Sequence, residues 1–213
     1  MVCSAAQNWC NKFILEPLTG DWDVYYVPEK DPDPYPPVLE PYLQIPAITS
    51  KIGSQVTWFD ANALVFYQFL ATGDGVRSVR PYLETVINSG VRTVIYDGDA
   101  DFLCNYVGVE AMVRESLVSL ASSIHCANPV AENAQIDSLD TKFSAEYARQ
   151  SFATYKVNGN PAGLYKNAGT FSYLRVFEAG HEVPAYGAPG VPRGAAALQM
   201  FTQIMSNQSL SST

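Results

Sequence analysis

The sequence predicts an α/β fold, and three observations indicate it. Residues 91–96 form a β-branched and aromatic run typical of a buried strand, and the polar turn Asp97-Gly98-Asp99 ends it. Segments with helical patterns flank this run on both sides. A second strand is predicted at 171–177, again followed by a loop. Helix, strand, tight polar turn and helix in this order are typical of an α/β sheet.

The elements before the first strand begin with a proline-rich stretch. Residues 30–37 can form neither a helix interior nor a central strand, and we expect residues 1–57 to be largely irregular. A short helix is predicted within 39–52, ended by Gly53.

Two helices are predicted next. Asp60 is a suitable N-cap for a helix over 61–71, which Gly73 would end. A second helix is predicted over 79–88, directly before the first strand.

The remaining elements follow the first strand. The patterns predict a helix over 107–121, a loop over 122–140 and a final helix over 194–206. Between the predicted loop and the final helix, Asn158-Gly159 within residues 156–166 predicts a β-hairpin.

The composition restricts the possible partners. The formal net charge is −8, which would repel a phosphate backbone, so we predict no nucleic-acid partner. No apolar run is long enough to span a membrane, so no membrane partner is predicted either. The first ten residues lack a basic start followed by an apolar stretch, so no signal peptide is predicted there.

Titratable residues follow both predicted strands. Residues 94–105 read VIYDGDADFLCN and residues 174–184 read LRVFEAGHEVP. Ligands of open α/β sheets bind just beyond the carboxyl ends of strands, so these two segments are candidates for a shared site. Of the two histidines in the chain, His181 follows a strand directly, whereas His125 lies in the predicted loop.

These two segments resemble the aspartate and histidine motifs of the serine carboxypeptidases, which are α/β hydrolases that remove single residues from peptide C-termini. The resemblance covers essentially the whole chain and is strongest over 86–110 and 171–201. It implies that Asp101, the second aspartate of Gly98-Asp99-Ala100-Asp101, and His181 belong to a Ser-Asp-His triad. In that triad His181 would be the general base and acid, and Asp101 would orient its imidazole ring.

The resemblance also implies roles for four neighbouring residues. Cys104 would line the substrate pocket, and Glu182 would lie where the departing C-terminal residue binds, a position at which a number of relatives have methionine. Asn105 and Gly180 would support the two motifs. For Glu182 the alternatives of pointing to solvent or pairing with Arg193 remain open.

The nucleophile is absent from this sequence. No serine is flanked by the glycines of Gly-x-Ser-x-Gly. The resemblance therefore predicts a partial α/β-hydrolase fold, with the C-terminal half of the sheet and its flanking helices. Residues 1–57 would be part of the insertion or lid region, and residues 58–213 the C-terminal part of the core.

Two origins of such a chain remain open. It is either one chain of a processed enzyme or a truncated gene product, and in both cases we expect it to be inactive alone. The expected partners are a missing N-terminal half or partner chain and, for the complete enzyme, peptide C-termini. The alternative functions are an acyltransferase or lyase of the same fold, or a non-catalytic truncated homologue.

Cysteines and one sequon bear on the compartment. Cys3 and Cys10 are close in sequence and resemble a disulfide-bearing stretch of the family, and Asn207-Gln208-Ser209 is a possible glycosylation site. The family implies a vacuolar, lysosomal or secreted location. We predict no cofactor and no metal, since His125-Cys126 matches no zinc spacing.

Overall fold

The computed structural model describes residue 5 and residues 8–30, 40–59, 61–74, 77–113 and 139–213. In this part of the chain the structure is mixed α/β with a four-stranded sheet. The strands are β1 (Thr93–Gly98), β2 (Ala153–Val157), β3 (Asn160–Ala168) and β4 (Phe171–Val176), in the spatial order β1-β4-β3-β2.

Helices precede and follow the strands. Before β1 lie a π-helix at Asn11–Leu15, α1 (Glu16–Thr19), α2 (Glu40–Leu43), α3 (Pro46–Ile52), α4 (Ala63–Thr72) and α5 (Arg80–Asn88). After β1 lie α6 (Tyr106–Val113), α7 (Ser144–Arg149), a 3₁₀ turn at Val183–Ala185 and α8 (Ala195–Met205).

The sheet combines one parallel pair with two antiparallel pairs. β1 and β4 are parallel, with Gly98 opposite Val176, so both strands end at the same edge of the sheet. β4 pairs with β3, and β3 with β2, in antiparallel fashion. The predicted hairpin is confirmed: Asn158 and Gly159 join β2 to β3 with φ of 51° and 80°, which only residues such as Asn and Gly adopt readily.

The core lies on both faces of β4. Phe171 and Tyr173 point to one face, where α5, α6 and α7 cover them, whereas Leu174 and Val176 point to the other face, beneath α8. All four side chains are at most 2% exposed. β4 is therefore buried on both faces, and its apolar residues point to both faces of the sheet.

The N-terminal elements differ from the prediction. The helix predicted over 61–71 begins at Ala63, and its N-cap is Asn62 rather than Asp60, because the Asn62 side chain accepts a hydrogen bond from Val65 N (3.1 Å). The segment 39–52 contains two short helices, since Pro46 starts a new one at its first position.

Residues 1–57 also contain more helix than predicted, at Asn11–Thr19. Several predictions lie outside the described residues. These are Asp60 itself, the prolines at 32–37, the part of the predicted 107–121 helix beyond Val113, and most of the loop predicted over 122–140.

The two edges of the sheet differ in how the described residues cover them. Along β2 the C-terminal segment forms backbone and side-chain bonds, for example from Thr213 N to Lys156 O (3.1 Å). The outer edge of β1 pairs with no strand in the described ranges. Within those ranges, none of the helices combines the length and apolar composition that crossing a membrane requires.

Candidate active site

The turn after β1 is hydrogen-bonded to the end of β4 and to the segment that follows it. Asp99 N donates to Val176 O (3.0 Å), and Ala100 N donates to Ala179 O (2.9 Å). These bonds bring Asp101 to the carboxyl end of the sheet, where it is only 5% exposed. The position is the one expected for ligand-binding residues of an α/β sheet.

Two glycines permit this close approach. A Cβ atom on Gly98 would collide with the carbonyl of Ala179, and one on Gly180 would collide with the carbonyl of Tyr25. Because only glycine lacks a Cβ, the loops can come together only with glycine at these positions. That Gly180 supports a catalytic motif stays a prediction.

Asp101 and His181 are in direct contact, as predicted. His181 Nδ1 lies 2.9 Å from Asp101 Oδ2, although the two residues are 80 positions apart. The other carboxylate oxygen, Oδ1, accepts a hydrogen bond from Cys104 N (3.0 Å), which fixes the carboxylate. The His181 side chain is 38% exposed, so its ring is accessible while its aspartate is buried.

The contact changes the acid–base behaviour of His181. The hydrogen bond to Asp101 raises the pKa of His181 to about 10, and the interaction with Cys104 adds to this, whereas burial opposes it. The contact with Asp101 therefore favours the protonated form of the His181 ring.

A segment that sequence patterns did not connect to the site joins its two loops. His181 N donates to Tyr25 O (2.8 Å), and the amides of Phe102 and Leu103 both donate to Val24 O (3.1 and 3.0 Å). The segment 23–27 thus bridges the aspartate turn and the histidine loop. Its sequence, DVYYV, contains no signal for such a position.

Tyr25 also contributes its side chain. Its ring centroid lies 5.3 Å from that of His181, at an interplanar angle of 57°. Tyr25 N donates to Asp23 Oδ1 (2.7 Å), and Asp23 is 1% exposed. Asp23 therefore helps to hold the backbone that carries the tyrosine.

Cys104 and Asn105 lie in the same loop. The Cys104 thiol interacts with His181, and one ligating atom from each of Asp101, Cys104 and His181 lies within 4.8 Å of the others. Asn105 Oδ1 accepts a hydrogen bond from Gly108 N (3.0 Å) and so caps α6. This bond gives Asn105 a structural role; that Cys104 contacts substrate stays a prediction.

Glu182 lies close to the tyrosine. Burial raises the pKa of Tyr25, and the negative charge of Glu182 is the next largest cause. The charge of Glu182 therefore acts on the tyrosine whose ring lies beside His181. Its expected role in binding the departing residue stays a prediction.

A second group of titratable residues lies inside the core beside the dyad. Tyr173 Oη is 3.0 Å from both oxygens of Asp97 and 3.5 Å from Glu110 Oε1. Arg175 Nη1 is 3.2 Å from the same Glu110 oxygen. Burial raises the pKa of Asp97 to about 8, and the charge of Glu110 adds to this effect.

The predicted modification sites give a mixed result. The cysteines in the described ranges, Cys10 and Cys104, are not joined by a disulfide, and Cys3 lies outside those ranges, so the Cys3–Cys10 bridge has no support in the structure. Asn207 is exposed, and its Oδ1 accepts a hydrogen bond from Arg92 Nε (2.9 Å). Glycosylation of Asn207 stays a prediction. His125 and Cys126 lie outside the described residues.

Comparison with known proteins agrees with this geometry. The family model described as serine carboxypeptidase matches residues 27–207, which include both members of the dyad.

The chain belongs to the serine carboxypeptidase family.

Three fungal relatives illustrate the membership. Carboxypeptidase S1 of Penicillium janthinellum is 34% identical over 99% of this chain and 44% of its own length. Carboxypeptidase Y of Schizosaccharomyces pombe is 28% identical over 86% of the chain and 17% of its own length. A vacuolar serine-type carboxypeptidase of Saccharomyces cerevisiae is 28% identical over 85% of the chain and 34% of its own length. This member of the serine carboxypeptidase family thus spans less than half the length of each of these relatives.

Proposed function

We propose that these 213 residues are the aspartate- and histidine-bearing part of a serine-type carboxypeptidase that removes C-terminal residues from peptides. The contact of 2.9 Å between His181 Nδ1 and Asp101 Oδ2 is the observation that carries this proposal. Membership of the serine carboxypeptidase family supports it. The nucleophilic serine would come from polypeptide outside these residues, because the sequence contains no Gly-x-Ser-x-Gly.

The dyad is arranged for proton transfer from such a serine. Because Asp101 binds Nδ1, the other ring nitrogen of His181, Nε2, remains for a serine hydroxyl. His181 would take the hydroxyl proton during attack on the peptide carbonyl and then donate it to the leaving amine. Asp101 would hold the tautomer and stabilise the imidazolium that forms in each step.

The surface of the chain supports a partner that completes the fold. The outer edge of β1 has no described strand beside it, although the turn that follows β1 carries Asp101. α4 exposes Leu64, Phe66 and Tyr67 by 62–68%. Unpaired strand edges and large apolar patches mark surfaces that another polypeptide covers. We infer that the remaining part of an α/β-hydrolase sheet extends from β1.

A serine-hydrolase probe tests this function. The chain alone should not react with a fluorophosphonate, because loss of the triad nucleophile costs about a factor of 10⁶ in turnover. The transcript upstream of Met1 should encode an in-frame Gly-x-Ser-Tyr-x-Gly. The joined polypeptide should be labelled and should release C-terminal residues from peptides, and His181→Ala should abolish both.

Two results would contradict the proposal. Labelling of the isolated 213 residues that disappears in His181→Ala would show that a nucleophile is already present. A joined polypeptide that folds and is labelled but cleaves no peptide C-terminus would favour a different reaction on the same fold.

The location is proposed from the relatives. One of them is named a vacuolar enzyme, and the exposed Asn207 sequon is compatible with passage through the secretory route. We expect the joined polypeptide to lose mass on treatment with an N-glycosidase, and Asn207→Gln to remove the part of that shift that this site contributes.

A further inference from the structure

A set of hydrogen-bonding side chains lies in the core near the dyad. Tyr173 Oη is 3.0 Å from both carboxylate oxygens of Asp97 and 3.5 Å from Glu110 Oε1. Arg175 Nη1 is 3.2 Å from the same Glu110 oxygen, and its guanidinium lies 4.4 Å from the centre of the Tyr106 ring. Asp97 and Tyr173 are both buried, so these contacts are shielded from water.

The number of hydrogens in this set indicates where an additional proton is held. When both carboxylates are ionised, the hydroxyl hydrogen of Tyr173 faces two negative groups, and Arg175 balances only one of them. With a proton on Asp97, that residue donates to Tyr173 Oη, and Tyr173 donates to Glu110. Both hydroxyl hydrogens then have an acceptor, and the set is neutral. The geometry therefore favours a proton at Asp97.

The same two strands carry this set and lead to the dyad. Asp97 on β1 lies opposite Arg175 on β4. Tyr173 precedes Arg175 by two positions, so the two side chains point to the same face of the sheet. Asp101 follows Asp97 by four positions, and His181 follows Arg175 by six. The set therefore lies near the start of both loops that carry the dyad.

The turn after β1 is packed too closely to absorb a movement of the strand end. Ala100 N donates to Ala179 O (2.9 Å), and Glu178 N donates to Asp99 Oδ1 (2.8 Å). A Cβ atom on Gly98 would collide with the carbonyl of Ala179. Closely packed segments transmit displacements to their neighbours, so a shift at the end of β1 should reach the residues of the turn.

We propose that Asp97 and Tyr173 are positioning residues for the dyad. A proton held between them keeps the turn after β1 in place, and its loss to solvent loosens the contact between Asp101 and His181. The ionised Asp97 would repel Glu110 across the tyrosine hydroxyl, which strains the end of β1. The inference uses contacts within this chain alone and does not depend on the proposed peptidase activity.

The groups around Asp97 determine the direction of the response to pH. They are Tyr173 and Arg175 from β4, Glu110 from α6 and Asp101 from the turn. Burial raises the pKa of Asp97 to about 8, and the charge of Glu110 adds to this effect. The proton is therefore held at neutral pH and lost as the pH rises past about 8. The dyad should be fully positioned below that pH and loosened above it.

NMR titration of the 213-residue chain tests the coupling. In a His125→Gln background, His181 gives the only histidine signal. Its ring resonances should show one inflection near pH 8, from loss of the proton at Asp97, and another near pH 10, from the ring itself. Asp97→Asn keeps a donor toward Tyr173 and should leave only the inflection near pH 10. A single inflection with Asp97 present, or one near pH 8 that survives in Asp97→Asn, would overturn the proposal.

The proton affinity of His181 separates positioning from a simple effect of charge. An ionised Asp97 that acted only through its charge would stabilise the imidazolium, so Asp97→Asn would lower this affinity. An ionised Asp97 that loosens the contact with Asp101 has the opposite effect. We therefore expect Asp97→Asn to raise the proton affinity of His181 at least about threefold. A smaller rise, no change or a fall would overturn the proposal.

Two further variants test whether the proton belongs to this set of side chains. Glu110→Gln removes the neighbouring negative charge, so the inflection near pH 8 should move to lower pH by about one pH unit or more. Asp21→Asn is the matched control, because Asp21 is exposed and pairs loosely with Lys30 (3.9 Å). It should leave both inflections in place. An inflection that stays near pH 8 in Glu110→Gln, or moves as far in Asp21→Asn, would overturn the assignment to Asp97.

Discussion

At the scale of single residues, the charge of the His181 side chain depends mainly on its contact with Asp101. We expect its imidazole to titrate near pH 10 in the wild-type chain, because the hydrogen bond with Asp101 stabilises the protonated ring. In Asp101→Asn that pKa should fall back toward its ordinary value of about 6.5. NMR titration of the imidazole resonances measures both values.

The assignment of that titration is simple because the chain contains only two histidines. His125→Gln removes the other signal and leaves the dyad intact. Since the folded pKa of His181 is raised, its contribution to stability is fully present below about pH 6.5 and is lost as the pH rises through about 10. A pKa that stays near 10 in Asp101→Asn would show that the carboxylate is not the cause.

Glu182 is the residue at which we expect substrate preference to differ from that of relatives with methionine. A carboxylate beside the leaving-residue position should favour peptides that end in Lys or Arg. In the joined, active polypeptide, Glu182→Met should lower the ratio of kcat/KM for Lys-ending over Leu-ending peptides at least threefold, which is about 0.65 kcal/mol. Steady-state kinetics on the two peptides measure this ratio.

The preference should also depend on pH. A glutamate loses its charge near pH 4.3, so the advantage of Lys-ending peptides should fade below about pH 4. An unchanged Lys/Leu ratio in Glu182→Met would mean that the carboxylate points to solvent or pairs with Arg193 instead of facing the substrate.

At the scale of elements, a cluster of titratable side chains lies at the interface of β1, β4 and α6. Tyr173 on β4 has one hydroxyl hydrogen, yet it faces both oxygens of Asp97 on β1 and one oxygen of Glu110 on α6. Arg175 neutralises only one of the two carboxylates. With Asp97 protonated, the cluster is neutral and gains a second donor.

This cluster predicts how stability varies with pH. The pKa of Asp97 is about 8 in the folded chain and about 3.9 when unfolded, so its contribution to stability is complete below about pH 4 and is lost as the pH rises to about 8. We expect Asp97→Asn to remove most of that fall, which is on the order of a few kcal/mol. Denaturant unfolding at pH 4, 6 and 8 measures it.

A matched substitution separates this effect from that of surface charge. Asp21→Asn changes an exposed aspartate that pairs loosely with Lys30 (3.9 Å) and should leave the pH dependence unaltered. If Asp97→Asn and the wild-type chain lose stability in parallel between pH 4 and 8, Asp97 does not hold the proton.

At the scale of the whole molecule, hydrogen exchange at α4 and at the open edge of β1 should differ between the isolated chain and the complete enzyme. We expect the amides of α4 and β1 to exchange hydrogen at least about tenfold more slowly in the joined polypeptide than in the 213 residues alone. The reason is that partner polypeptide would bury the apolar side chains and pair the strand edge. Hydrogen exchange with mass spectrometry measures it.

The β3–β4 hairpin provides the internal control. β4 is already buried on both faces within the described residues, so its exchange should change much less between the two forms. Equal slowing throughout the sheet would indicate general stabilisation, and no slowing in α4 would place the partner elsewhere.

The sequence by itself determined the elements whose signals are local. The run 91–96 and the Asn158-Gly159 turn predicted a strand and a hairpin because β-branched composition and positive φ are properties of neighbouring residues. The order of Asp101 and His181, each after a strand, was enough to place them at one site, since parallel strands end at the same edge.

Only the tertiary structure decided the contacts between distant segments. It placed the 23–27 segment between the aspartate turn and the histidine loop. It also gathered Asp97, Tyr173 and Glu110 into one hydrogen-bonded cluster. It also brought the sulfur of Cys104 within 4.8 Å of atoms of Asp101 and His181. These contacts join residues up to about 156 positions apart, and no pattern of neighbouring side chains encodes such a distance. These contacts form because the strands and loops pack against one another when the chain folds.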